Sequence, residues 1–336
     1  VNQQQSPSPF WHRVWRQEWL PSALRKEAYK KLSARGCAPD APFERDFFGL
    51  RYQGNLNNGI EFAIYYYGAF EKPLLFFLGD ALSALTQHAR ETEIALGEED
   101  QGEDQEANQK PSVFLDVGAN IGQHSLFMSR LADEIHAFEP YPTVANKFKA
   151  QLALNNIENV TLHEVGLSDE NGKLPFFAPA GNNEGVGSFD SESQQRGNTP
   201  AGELEIVRGD DLFAAKDIER IDLMKIDVEG FERKALLGMQ ETLCRTRPVI
   251  VCEITYGQAL SFKSRDDLLN CLPENYQLLQ FNTRKANGRT ARRRGAKAKR
   301  SGAYELIPLD SWRDQDQDDV VAVPGELMQV LPMRNA

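Results

Sequence analysis

The residues of this 336-residue chain that can do chemistry sit in a few short segments, the first being Val113–Gly122, VFLDVGANIG. Val113–Val117 is an apolar, β-branched run with one acid in it, Asp116, the pattern of a strand buried in a parallel sheet. It runs into Gly118-Ala119-Asn120-Ile121-Gly122 and then into Gln123–Leu131, where Leu126, Phe127 and Leu131 mark one face of a helix. Strand, glycine turn and helix make the first half of a nucleotide-binding βαβ unit. The glycines let backbone amides approach a ligand, and the helix N-terminus carries partial positive charge.

The spacing is not the dinucleotide pattern G-x-G-x-x-G, because position 120 is Asn, and it lacks the Lys-Ser/Thr end of a phosphate-binding loop. An acid just before the turn suits a pyrophosphate poorly. It suits a ligand with a cationic amino-acid end and a ribose, which is the shape of S-adenosylmethionine. Asp116, Gly118, Ala119, Asn120 and Gly122 are therefore expected around such a ligand. Glu139 ends the next strand-like run, about 20 residues past the turn, where an acid accepts hydrogen bonds from ribose hydroxyls. Ser168 and Asp169, at the end of a third run, are expected to wall and hydrogen-bond an adenine. Asp227-Val228-Glu229-Gly230 ends a fourth. Two carboxylates at the mouth of a sheet are costly unless paired, solvated or used, although Glu229 also fits a helix cap. His124 lies one turn into the first helix, where a base and a structural histidine are both open readings. Asp227, Glu229 and His124 are the candidates for proton transfer.

These residues need a scaffold, and the pattern supplies one. Strands are expected at Val113–Val117, Glu134–Phe138, Val160–Val165, Asp222–Asp227, Val249–Ile254 and Tyr276–Phe281. Helices are expected at Thr143–Leu154, Glu229–Leu243 and around Asp266–Cys271. This alternation implies an α/β fold with a doubly wound, mostly parallel sheet, with Tyr304–Leu309 and Val320–Val323 supplying a final antiparallel strand. Residues 1–110 read as an N-terminal extension and 111–336 as the main domain. In the extension, Trp11, Trp15 and Trp19 make one stripe of a helix, and Ser22–Arg35 reads as a second helix. Phe47–Tyr67 reads as a hairpin around Gln53–Gly59, Lys72–Leu96 as an apolar helix, and Gly97–Lys110 as an acidic linker. Ala180–Phe189 reads as a lid or a plain connection, and Ser191–Gly202 as a mobile polar stretch.

FLDVGANIGQHSL (Phe114–Leu126), HAFEP (His136–Pro140), GLSDENG (Gly166–Gly172) and IDLMKIDVEGFE (Ile221–Glu232), in this order, resemble the FkbM family of S-adenosylmethionine-dependent methyltransferases. The resemblance covers roughly Ser112 to Pro324, with PVIVCEI (Pro248–Ile254) and VVAVP (Val320–Pro324) similar to that family's closing strands. Phe47–Glu71 looks like the lead-in hairpin often seen before this domain. The resemblance implies a class I, Rossmann-like methyltransferase fold. It places the glycine turn at the methionine end of the cofactor, Glu139 at the ribose, Ser168 and Asp169 near the adenine, and Asp227 and Glu229 at the donor methyl and the acceptor. It implies O-methylation of a sugar or another small molecule. A divalent metal on Asp227, Glu229 and another acid is allowed but demanded by no spacing.

The remaining features bound the partners. A net charge of −11 argues against general nucleic-acid or membrane affinity. Arg284–Arg300 is the exception, with nine of its 17 residues Arg or Lys, and reads as an exposed basic arm. Its open readings are a phosphate-backbone or anionic-surface contact and an insertion that pairs with the acidic Glu91–Glu106. The alternatives to small-molecule methylation are thus an RNA methyltransferase that uses this arm and a non-catalytic protein that keeps the fold. The four cysteines have neither metal-binding nor disulfide spacing and read as reduced, mostly buried thiols of a cytoplasmic protein. No apolar run approaches the length of a membrane span and no signal-peptide pattern opens the chain. The start at Val1 leaves a removed leader or tag open.

Overall fold

The computed structural model describes residues 14, 17, 19–33, 39–96, 110–179, 187–257, 260–284 and 291–335. The expectations for Trp11 and Trp15, for the acidic linker over 97–109, for 180–186 of the lid loop and for 285–290 of the basic arm lie outside the described residues. The chain divides into two compact units, with the break between Phe70 and Glu71.

The first unit contains helix α1 (Ser22–Ser33) and an antiparallel hairpin of β1 (Pro42–Phe47) and β2 (Leu50–Asn55). Phe48 and Gly49 join the strands with φ of 52° and 84°, the paired left-handed turn that matches strand twist. The expected hairpin around Gln53–Gly59 is therefore displaced, and Gly59–Tyr67 is a helix, α2. Asn58-Gly59 has turn composition but caps instead: the Asn58 side chain accepts from the amides of Ile60 and Glu61. Ala28, Tyr29, Leu32 and Leu56 form this unit's core.

The second unit begins with α3 (Lys72–Leu96), then β3 (Val113–Val117), α4 (Gln123–Met128), β4 (Glu134–Phe138), α5 (Pro142–Asn155) and β5 (Val160–His163). Leu131, expected on the apolar face of the helix after the glycine turn, lies past its end and is exposed. Next come β6 (Gly166–Ser168), β7 (Gly172–Ala178), a 3-10 turn at Ser191–Arg196, β8 (Thr199–Arg208), α6 (Gly209–Ala215), β9 (Leu223–Ile226), α7 (Glu232–Leu237) and α8 (Gln240–Thr246). The unit ends with β10 (Val249–Thr255), α9 (Arg265–Leu269), β11 (Tyr276–Phe281), α10 (Arg292–Ser301), β12 (Leu306–Pro308) and β13 (Gln317–Pro324).

Eight strands form the central sheet in the order β12-β11-β13-β10-β9-β3-β4-β5. β5, β4, β3, β9 and β10 run parallel, and β13 is antiparallel to both β10 and β11. The chain winds outward from β3 to β5 and returns to β9 beside β3, so the order reverses between β3 and β9. That is the switch point where open α/β sheets bind ligands, at the strands' carboxyl ends. The expected doubly wound, mostly parallel α/β sheet is present, with the antiparallel closing strand at β13.

Three further expectations are corrected. Of Ser191–Gly202, read as mobile, residues 191–196 form a 3-10 turn and Thr199–Gly202 open the longest strand of a second sheet, β6-β8-β7. That strand, β8, is exposed over most of its length, so no apolar alternation marks it. The expected helix Glu229–Leu243 is two helices. Gly238 packs on the Ser168 carbonyl so closely that a Cβ there would sit 1.7 Å from that oxygen. The Asp210 carboxylate then caps α8 from another element, accepting from Glu241 N, Thr242 N and Thr242 Oγ1 at 3.1, 2.9 and 2.8 Å. The basic arm is not free at its described ends. Arg284 pairs with Asp316 and Asp318, each at 3.0 Å. Arg292–Ser301 is helical and ends at Gly302, whose Cα lies against the Phe76 ring of α3. Of the described cysteines, Cys252 and Cys271 are buried and Cys244 is exposed. Among the described residues no helix is long and apolar enough to cross a membrane.

The contact at Gly238 yields a test. Gly238→Ala has no left-handed strain to overcome, so its effect is overpacking alone. Chemical denaturation is expected to show a loss of about 1–3 kcal/mol, against little change for Gly172→Ser at the open start of β7.

Candidate active site

The glycine turn after β3 is shaped by close contacts. Gly118, at φ 82°, lies against the end of β9, and a Cβ there would stand 1.8 Å from the Asp227 carbonyl oxygen. Gly122, at φ 80°, leaves room for the Phe148 ring of α5, which a Cβ would meet at 2.0 Å. Between them Asn120 holds a left-handed φ of 52°.

Every amide of this turn is bonded within the protein. Gly118 N and Ala119 N donate to the Phe138 carbonyl at 3.0 and 2.9 Å, and Gly122 N donates to Ala119 O at 2.8 Å. Ile121 N donates to Asn120 Oδ1 at 2.7 Å. Asn120 N donates to Glu139 Oε2 at 3.0 Å, while Glu139 Oε1 accepts from Tyr141 N at 2.8 Å. Glu139 thus pins the turn to the end of β4. Burial pushes its carboxyl up to about 7 against the pull of these two amides.

Asp116 is fully buried in β3. Its Oδ2 accepts from Ser125 N at 3.0 Å and Ser125 Oγ at 2.6 Å, fixing the start of α4. Its Oδ1 faces Lys225 Nζ at 4.0 Å, and the same ammonium lies 3.1 Å from Asp227 Oδ2. Burial alone would lower Lys225; the carboxylates of Asp227, Asp116 and Glu71 outweigh it and keep the ammonium charged.

Beyond Asp227 the chain turns through Glu229 and Gly230, at φ 51° and 101°. Glu229 does not cap a helix, because α7 starts at Glu232. Glu232 Oε1 accepts from Val228 N at 3.2 Å and Gly230 N at 2.9 Å, which holds the loop, and burial pushes this carboxyl up to about 7. Ser188 Oγ donates to Glu229 O at 2.9 Å. Carboxylate oxygens of Asp227, Glu229 and Glu253 lie within 4.8 Å of one another, a spacing that a divalent cation can occupy. Glu253 on β10 stands opposite Asp319 on β13 in the ladder. Burial raises Glu253 well above its usual range, with Asp227 and Asp319 adding to it, and pushes Asp319 up to about 7.

His124 is buried, with Nε2 3.6 Å from Glu71 Oε2. Burial, then Lys225, holds its imidazole well below the ordinary value, so it is neutral at physiological pH. Burial raises Glu71 well above its ordinary value, with Asp319 and Asp227 adding to it.

The structure therefore links Asp116, Gly118, Ala119, Asn120, Gly122, Glu139 and Asp227 through direct contacts at the switch point. Ser168 ends β6 of the smaller sheet and Asp169 follows it; Ser168 Oγ donates to Asp169 Oδ1 at 3.2 Å and Asp169 pairs with Lys234 of α7 at 3.0 Å. Sequence reasoning missed Glu71, Glu253 and Asp319. Glu253 had a signal, an acid inside the apolar run PVIVCEI. Glu71 had none, since it precedes the βα alternation.

An acid whose pKa rises on folding binds its proton more tightly in the native state. Stability is then full below the unfolded value and falls as pH rises toward the folded one. With Glu139 and Glu232 moved from 4.5 to about 7, these two carboxyls are expected to contribute a loss of stability between about pH 4.5 and pH 7 in denaturant titrations, against the opposite contribution of His124, His136 and His163, whose values burial lowers. Glu232→Gln, which keeps the acceptor for Gly230 N, is expected to flatten that fall by up to about 3 kcal/mol.

Residues 116–281 match the Methyltransferase FkbM domain. Methyltransferase sdnD of Sordaria araneosa is 34% identical over 164 residues, covering 40% of this chain and 63% of that protein. 2-O-methyltransferase NoeI of Sinorhizobium fredii is 29% identical over 153 residues, covering 41% and 62%. Hexuronic acid methyltransferase AglP of Haloferax volcanii is 27% identical over 146 residues, covering 44% and 57%. The chain spans about three-fifths of the length of these relatives. The family match runs from Asp116 in β3 to the last residue of β11 and takes in the glycine turn and the end of β9; over this segment the chain is similar to the FkbM methyltransferase domain.

Proposed function

We propose that this chain transfers the methyl group of S-adenosylmethionine to a hydroxyl of a sugar or another small molecule. One observation carries the reading: the turn at the switch point has its amides bonded internally and faces carboxylates. Such a turn offers an anionic phosphate no donors, and it favours a ligand whose end is cationic. Gly118–Gly122 and Asp116 would border its methionine end, Glu139 would hold its ribose, and Ser168 and Asp169 would lie toward its adenine. When bound, S-adenosylmethionine supplies a methyl group already activated on sulfur. The protein's part is to align the acceptor, exclude water and take a proton, with Asp227, Glu229 and His124 as the groups for the last task.

Two of the relatives are named for a 2-O-methyl transfer and for a hexuronic acid, which supports a hydroxyl-bearing small molecule as acceptor. The nucleic-acid alternative rested on an exposed basic arm. With Arg284 committed to Asp316 and Asp318 and Arg292–Ser301 folded as a helix, the small-molecule reading is the better supported. A divalent cation has the three acids Asp227, Glu229 and Glu253 in its favour, and no step of the proposed transfer requires it.

Calorimetric titration with S-adenosylmethionine is the direct test. The wild type is expected to bind, and Glu139→Ala to bind at least tenfold more weakly, a cost of about 1.4 kcal/mol. A folded wild type that fails to bind overturns the reading. With labelled donor and a panel of methyl glycosides, Asp227→Asn is expected to lower the transfer rate on the order of 100-fold. An unchanged rate would move the chemistry away from the end of β9.

A further inference from the structure

Glu71 lies outside the matched family segment, yet its carboxyl reaches the switch point. It directly precedes α3, and its carbonyl accepts from Leu74 N and Leu75 N at 2.9 and 3.1 Å. Its φ is 45°, a left-handed backbone that non-glycine residues adopt at a cost. Asn120 and Glu229 share that conformation, so three of the positive-φ non-glycine residues fall on segments that contribute to the candidate site.

The facing group is His124. Its side chain is 7% exposed, and its Nε2 makes no hydrogen bond among the described residues. The separation of 3.6 Å from Glu71 Oε2 is too long for a hydrogen bond. A single hydroxyl oxygen can lie within hydrogen-bond reach of both groups. A buried ring nitrogen without a partner is costly in a folded protein, and an acceptor hydroxyl would satisfy it.

On the reading of the site as a methyltransferase, we propose that Glu71 and His124 together form the subsite for the acceptor hydroxyl, with His124 Nε2 receiving its proton. The hydroxyl donates to the bare Nε2 lone pair. As the oxygen–methyl bond forms, the donor's sulfur–methyl bond breaks and its electron pair returns to sulfur. The hydroxyl proton passes to Nε2. The imidazolium so made faces the Glu71 carboxyl, whose own charged neighbours are Asp319, Asp227, Lys225 and Lys299. Glu71 fixes where the hydroxyl sits, and His124 carries the proton.

The imidazole tautomer tests this without any acceptor. The chain has five histidines, and comparison of the ring-nitrogen NMR spectrum with that of His124→Gln assigns the signals of His124. The proposal requires a protonated Nδ1 and a bare Nε2 near neutral pH; a protonated Nε2 overturns it. Glu71→Gln is expected to bind S-adenosylmethionine as the wild type does by calorimetry. With labelled donor and the methyl glycoside panel, Glu71→Gln and His124→Gln are each expected to lower kcat at least tenfold with the donor KM unchanged. Glu71→Asp should recover part of the loss, and the double variant should be no worse than the poorer single one. Wild-type kcat in Glu71→Gln, or additive losses, overturns the pairing. A wild type that methylates nothing counts against the methyltransferase reading, and the tautomer still decides the pair.

Discussion

The ammonium of Lys225 is what the acid-rich end of the sheet depends on. It is buried in β9 between Asp116 on β3 and Asp227 at the end of its own strand. Taking any of these charges out of water alone costs several kcal/mol, and a broken pair leaves the survivor uncompensated. One cation cannot balance Glu71, Glu253 and Asp319 as well, and those three carboxyls are pushed toward their neutral forms. The result is a cluster of acids with one buried ammonium among them. The neutral state of His124 belongs to the same balance, because burial and the nearby ammonium both disfavour a second cation.

The glycine turn gains its meaning from this setting. In a phosphate-binding turn the amides point at the ligand. Here they are spent on Phe138, Ala119, Asn120 and Glu139, and the turn acts as a clasp that holds β3, β4 and β9 in register at their carboxyl ends. Two glycines are needed for different reasons: Gly118 because the β9 backbone approaches it, Gly122 because an aromatic ring does.

Much of the central sheet was legible. Val113–Val117, Glu134–Phe138 and Tyr276–Phe281 are strands at the boundaries their apolar runs suggest, since burial on both faces leaves a continuous signal. The smaller sheet was not legible, because β8 is held by ladder hydrogen bonds with most of its side chains in solvent. Gly59–Tyr67 was misread because its aromatic residues suit a strand and a helix alike, and the deciding cap lies in one side chain, Asn58. At the site, the residues contributed by β3, β4 and the end of β9 could be named in advance. Glu71, Glu253 and Asp319 could not, because each arrives from an element whose place is set by tertiary folding.

The hydrogen bond from Ser188 to the Glu229 carbonyl has a consequence for how Glu229 is placed. The connection between β7 and β8 is anchored at one point to the backbone that presents Glu229, and Phe189 beside it packs on Phe231. Ser188 and Phe189 thereby tie the link between these two strands of the smaller sheet to the backbone that follows β9, so a length change in that link bears directly on the position of Glu229.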